Sequence, residues 1–156
     1  MHVAVTLADR FSFVEEFALS PDGASVLFLR NEADVMSVYR QALVGGQERK
    51  LVHNATEADW SPDGRKLALT LSKDGSPDIY VMDLGSRQLR RLTTSDSIDT
   101  EPAWMPDGRS ILFTSDRSGG PQVYRVPAAG GTPERVTFEG SYNARPRLSP
   151  DGKRLA

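Results

Sequence analysis

Cysteine is absent from the 156 residues, which excludes disulfides, thiolate metal sites and a cysteine nucleophile while leaving the redox compartment open. Histidine is nearly so: His2 and His53 stand far apart, so no histidine cluster for zinc or acid-base work can form within one chain. Wholly apolar stretches run to only a few residues, such as Ile111 to Phe113, against the roughly 20 needed to cross a bilayer as a helix. Met1 to Arg10 has no basic region followed by an apolar one, so the segment does not read as a signal peptide. Positive charge is not in excess either. With 19 Lys and Arg against 21 Asp and Glu the formal net charge is -2, and no global field gathers phosphates, which argues against a nucleic-acid partner. Neither a Gly-x-Ser-x-Gly elbow nor a Walker loop occurs, so no catalytic apparatus is visible and the chain is not expected to be an enzyme.

What is present is the composition of a folded chain, 38% hydrophobic and 26% charged, at a length of about one domain. Its organising feature is a repeat: Ser20-Pro21-Asp22-Gly23, Ser61-Pro62-Asp63-Gly64, Met105-Pro106-Asp107-Gly108 and Ser149-Pro150-Asp151-Gly152, with prolines 41, 44 and 44 residues apart. Four strands of about five residues with short turns fill roughly 40 to 45 positions, the period of a propeller blade. Helical repeats of similar period are disfavoured, because 10 prolines and 13 glycines punctuate the chain too often for long helices.

The second unit shows the pattern best. Ala58 to Ser61 leads into a Pro-Asp-Gly turn, where proline presets its own φ and glycine accepts a positive one. Leu67, Leu69 and Leu71 then alternate with Ala68 and Thr70, and Ile79 to Leu84 and Gln88 to Thr93 supply two more strands. Counterparts are Ile111 to Ser115, Gln122 to Val126 and Glu134 to Thr137 in the third unit, and Val26 to Arg30, Val35 to Gln41 and Glu48 to Val52 in the first. The fold class expected is therefore all-β, with blades of four antiparallel strands. After an opening segment Val3 to Leu7, residues 1–156 divide into blade 1 at about 17–57, blade 2 at about 58–101, blade 3 at about 102–145 and a truncated blade 4 at 146–156. That is about three and a half blades, an incomplete or open propeller, whereas closed rings use roughly four to eight. Such a chain is expected to be a fragment, or a protomer that closes by self-association through the open blade.

Four turn aspartates, Asp22, Asp63, Asp107 and Asp151, sit one per blade at separate turns, where aspartate bonds its own backbone, and read as structural. Trp60, Trp104, Tyr80 and Tyr124 recur at equivalent positions and are expected to pack between blades. Because successive strands are antiparallel, the second-to-third strand loops and the blade-to-blade loops emerge on one face. The blade-to-blade loops there are His53 to Glu57, Ser95 to Glu101 and Glu139 to Arg145, and loops on a rigid scaffold are where binding is usually placed. The candidate partner-binding residues on this face are Asp99, Thr100, Glu101, Glu57, Tyr142, Asn143 and Arg145.

From Ala58 onward the blades resemble those of the TolB family of the bacterial Tol-Pal envelope system. The carriers are Asp59-Trp60-Ser61-Pro62-Asp63-Gly64-Arg65-Lys66-Leu67-Ala68, Asp78-Ile79-Tyr80-Val81-Met82-Asp83-Leu84, Asp99-Thr100-Glu101-Pro102-Ala103-Trp104, Phe113-Thr114-Ser115-Asp116-Arg117, and the run Arg135 to Pro146 through Tyr142. The resemblance implies a non-enzymatic protein-interaction scaffold in the periplasm with Pal and TolA as partners, the cytoplasm being the alternative compartment. It also implies that Asp99-Thr100-Glu101-Pro102 belongs to the partner surface and that calcium can occupy the propeller channel. The family's mixed α/β domain is not visible here, and Met105 stands where a turn serine is expected. The alternative function is the substrate-gating propeller of a prolyl-oligopeptidase-like serine peptidase, whose catalytic residues would lie outside this chain.

Overall fold

The computed structural model of the chain describes residues 14–73 and 75–156; His2 and the expected strand Val3 to Leu7 lie outside the described residues. Described residues form twelve strands and no helix, so no helix is long and apolar enough to cross a membrane. The strands are β1 (Val14–Leu19), β2 (Ser25–Glu32), β3 (Val35–Ala42), β4 (Arg49–His53), β5 (Ala55–Trp60), β6 (Lys66–Leu71), β7 (Asp78–Asp83), β8 (Leu89–Arg91), β9 (Asp99–Trp104), β10 (Ser110–Ser115), β11 (Gln122–Pro127) and β12 (Glu134–Arg135). They make three four-stranded antiparallel sheets, β1-β2-β3-β4, β5-β6-β7-β8 and β9-β10-β11-β12, each in sequence order. Beyond them the turn Ser149 to Gly152 joins two short segments bridged at Leu148 and Leu155. The expected all-β architecture of open four-stranded blades is what the chain adopts.

The repeated turn joins the first two strands of each sheet, and its chemistry explains why. In the second sheet Ser61 Oγ donates to Asp63 Oδ1 at 2.6 Å, the amide of Arg65 donates to the same oxygen at 3.0 Å, and the amide of Lys66 donates to Ser61 Oγ at 2.8 Å. Gly64 closes the turn at φ 68, a conformation glycine reaches without a Cβ penalty. The Asp22 and Asp151 turns repeat these contacts. Asp107 keeps only the amide of Arg109, at 2.9 Å, since Met105 has no hydroxyl to give.

Packing holds the sheets face to face. Leu67, Leu69 and Leu71 of β6 join Leu27, Leu29 and Val38 of the first sheet, with Trp60 and Tyr80, in one core. Ala68, on the other face of β6, joins Ile79, Val81 and Leu92 against Trp104, Ile111, Phe113 and Tyr124 of the third sheet. The middle sheet is thus buried on both faces, which is why β6 reads as a nearly continuous apolar run. Full burial of one such leucine stabilises by about 1.5–3 kcal/mol. The recurring aromatics pack between blades as expected, and Trp60 Nε1 also donates to the Ala18 carbonyl of the preceding blade at 3.2 Å.

Two expected loops are largely strand. The connection drawn as His53 to Glu57 narrows to Asn54, at φ 59, and β5 begins at Ala55. Asparagine tolerates that left-handed turn, and its side-chain amide donates to the Ser72 carbonyl at 2.9 Å. Likewise Asp99, Thr100 and Glu101 lie in β9, not in a loop.

Candidate partner-binding cleft

The first strand of each blade lies beside its counterparts, and β1, β5, β9 and residues 145–150 enclose a cleft of about 730 Å³. Thr56, Glu57, Asp59 and Glu101 line it together with Arg145 and Arg147, while Ala58, Pro102, Ala103 and Trp104 add apolar surface. Carboxylates on two blades therefore face guanidinium groups on the stretch that follows the third.

Glu57 and Glu101 occupy equivalent positions, five residues before the proline of their turns. Glu57 Oε2 accepts Thr70 Oγ1 at 2.6 Å and the backbone amide of Glu101 at 2.6 Å. Glu101 Oε2 accepts Thr114 Oγ1 at 2.7 Å and the backbone amide of Arg145 at 2.7 Å, and its Oε1 accepts Arg145 Nε at 3.0 Å. The Arg145 side chain is 83% exposed, and the Glu101 carboxylate raises its already high pKa. Asp59 Oδ2 accepts the Trp104 amide at 2.7 Å in the same blade-to-blade sense.

The other candidates have different surroundings. Asp99 is fully buried, both its oxygens held by Arg117 Nη2 at 2.9 and 2.8 Å, with that guanidinium stacked over Tyr124 at 4.8 Å. A buried, paired carboxylate of this kind fixes the β9–β10 corner and presents no acceptor to a partner. Asp78 is similarly enclosed in the second sheet by Arg91 and Thr93, and burial raises its pKa against their pull. Thr100 pairs with Thr114 across the ladder, outside the cleft lining. Asn143 is half-buried and ties its loop down through Gln122 Oε1 at 3.0 Å and the Glu139 carbonyl at 2.8 Å. Tyr142 is 71% exposed and is not part of the cleft lining.

Of the seven candidates, then, the cleft gathers Glu57, Glu101 and Arg145. Thr56, Asp59 and Arg147 complete its polar lining. The repeat itself pointed to them, since Thr56 stands where Thr100 does relative to the turn proline and Asp59 and Arg147 each lie three residues before one. Among the described residues no three His, Asp or Glu side chains are grouped to hold a metal ion, and the Glu57 and Glu101 carboxylates are engaged across the blades.

The model of the TolB beta propeller domain matches residues 13–156. TolB from Acinetobacter baumannii is 39% identical with a TM-score of 0.85, the match covering 92% of this chain and 37% of that one. A putative TolB from Agrobacterium tumefaciens is 32% identical with a TM-score of 0.83, covering 91% and 53%. Over a shorter stretch of 40 residues, the Tol-Pal system protein TolB of Ruthia magnifica subsp. Calyptogena magnifica is 52% identical, which is 26% of this chain and 9% of that protein. The chain thus spans about a third to a half of the TolB structures it matches. Puromycin hydrolase, at 16% identity and a TM-score of 0.74, shares the fold alone. Matched over nearly its whole length, the chain belongs to the TolB beta propeller family.

Proposed function

We propose that the chain serves as a protein-binding scaffold without catalysis of its own, and that the cleft between β5, β9 and residues 145–150 receives the partner. Its place in the Tol-Pal system follows from family likeness, with Pal and TolA as the partners and the periplasm as the compartment. The observation that carries this reading is the cleft: rigid inner strands of adjacent blades present carboxylates and guanidiniums of opposite sign around an apolar floor. Such a lining suits a protruding polypeptide segment that carries charges of its own. The peptidase alternative rests on fold likeness, which carries no function by itself.

Calorimetric titration of Pal, with and without calcium, tests the reading. Thr56 is exposed and lines the cleft, so Thr56→Arg fills it without disturbing the core. Loss of more than about 2 kcal/mol of binding, with the melt unchanged, marks the centre of an interface. Arg125→Ala, an exposed side chain of β11 paired with Glu134 of the outer strand β12, leaves binding unchanged. A Thr56→Arg effect below about 0.5 kcal/mol, the ordinary scatter of surface changes, removes the cleft from consideration.

A further inference from the structure

Five residues before each turn proline stand Glu16, Glu57, Glu101 and Arg145. The last two have left-handed backbone, at φ 58 and 55. For residues with a Cβ this region is sparsely populated and persists only where the surroundings over-determine it. At Glu101 the β9 register against β10 slips between Ala103 and Thr100, and its amide turns out of the sheet toward the previous blade. What receives it is the Glu57 carboxylate, itself anchored by Thr70. Glu101, anchored by Thr114, accepts the Arg145 amide in turn at 2.7 Å, and Thr114 Oγ1 shares that amide at 3.1 Å.

We propose that Glu57, Glu101 and Arg145 form a relay across three successive blades, each carboxylate fixing the backbone of the next, so that Glu57 positions Arg145 without bonding to it. Direction is built in, because every acceptor lies on the earlier blade and every donor on the later one. Glu57 and Glu101 are positioning residues in this account, and the guanidinium of Arg145 at the rim of the cleft is what they position. A ligand that displaces Arg145 is felt at Glu101 and, through its amide, at Glu57. Nothing in the relay depends on which partner docks.

Glu57 also acts on Arg145 through space as a charge, and the test separates that route from the hydrogen-bonded one. Amide hydrogen exchange is followed by NMR on the whole chain for the wild type, Glu57→Gln and Glu57→Ala. The alanine variant is expected to speed exchange about tenfold at both the Glu101 and the Arg145 amides, with Leu69 and Phe113 in the core unchanged. Glutamine keeps an acceptor and removes the charge, so both amides are expected to stay within about twofold of wild type. Acceleration confined to Glu101, or glutamine behaving as alanine, overturns the relay. Should Glu57→Ala speed every amide, Thr70→Val decides instead by removing only the hydroxyl that anchors the carboxylate. It must then accelerate the same two amides, and an effect on Glu101 alone again overturns the proposal.

Discussion

One hydroxyl separates the third Pro-Asp-Gly turn from the other three. Asp63 accepts both Ser61 Oγ and the Arg65 amide, whereas Asp107 accepts the Arg109 amide alone. Asp63→Ala is therefore expected to lower stability by about 1 kcal/mol and Asp107→Ala by clearly less, as urea denaturation midpoints will show. Met105→Ser restores the missing donor and is expected to raise stability by about 0.5 kcal/mol. The same bonds hold the Asp22, Asp63 and Asp151 carboxyls below the usual carboxylate range, the serine hydroxyl being the largest cause in each. A depressed folded-state pKa gives stability that is present above the unfolded value, near about 4, and lost as pH falls through the folded one. An acid titration of the melt should show that loss, and Ser61→Ala should shrink it. These turns were fully legible in the sequence, because every partner lies within five residues.

Between elements the deciding contacts reach across blades, and the sequence hides them. Strands β6, β7, β10 and β11 lie where alternation placed them. The starts of β5 and β9 do not, because polar Asp99, Thr100 and Glu101 read as loop until Arg117 buries Asp99 and Glu57 captures the Glu101 amide. Those partners are 18 and 44 residues away, beyond any local pattern. Equivalent tryptophans differ in the same hidden way. Trp60 Nε1 donates to Ala18, while Trp104 Nε1 has no hydrogen-bond partner among the described residues. Trp60→Phe is thus expected to cost about 1 kcal/mol more than Trp104→Phe, since both lose similar buried area and only one loses a bond. Equal losses in paired denaturation curves would remove that bond from the account.

At the scale of the molecule, three sheets stack through two cores, and the outer side of the third leaves apolar side chains in solvent. Leu92 of the second sheet is 8% exposed, whereas Val136 at the equivalent place in the third is 37% exposed, with Phe138 beside it at 74%. Exposed apolar surface of this kind favours association. Light scattering on the 156-residue polypeptide is expected to show self-association that grows with concentration, and a monodisperse 17.1 kDa particle at every concentration would contradict this. The repeat made the blades legible. It could not show that Glu57, Glu101 and Arg145 turn inward to a cleft while Tyr142 stays outside, since that depends on how whole blades sit against each other.

A partner docked on the inner strands shields their amides from solvent, and exchange measured with the partner bound reads that shielding. With Pal added in excess, amide exchange measured along the whole chain should slow at residues 56–59, at Glu101, Ala103 and Trp104, and at Arg145, Arg147 and Leu148, while the outer strands β4, β8 and β12 stay unchanged. Protection on β4, β8 or β12 with the inner strands unaltered would place the partner on the outer edge and contradict the account.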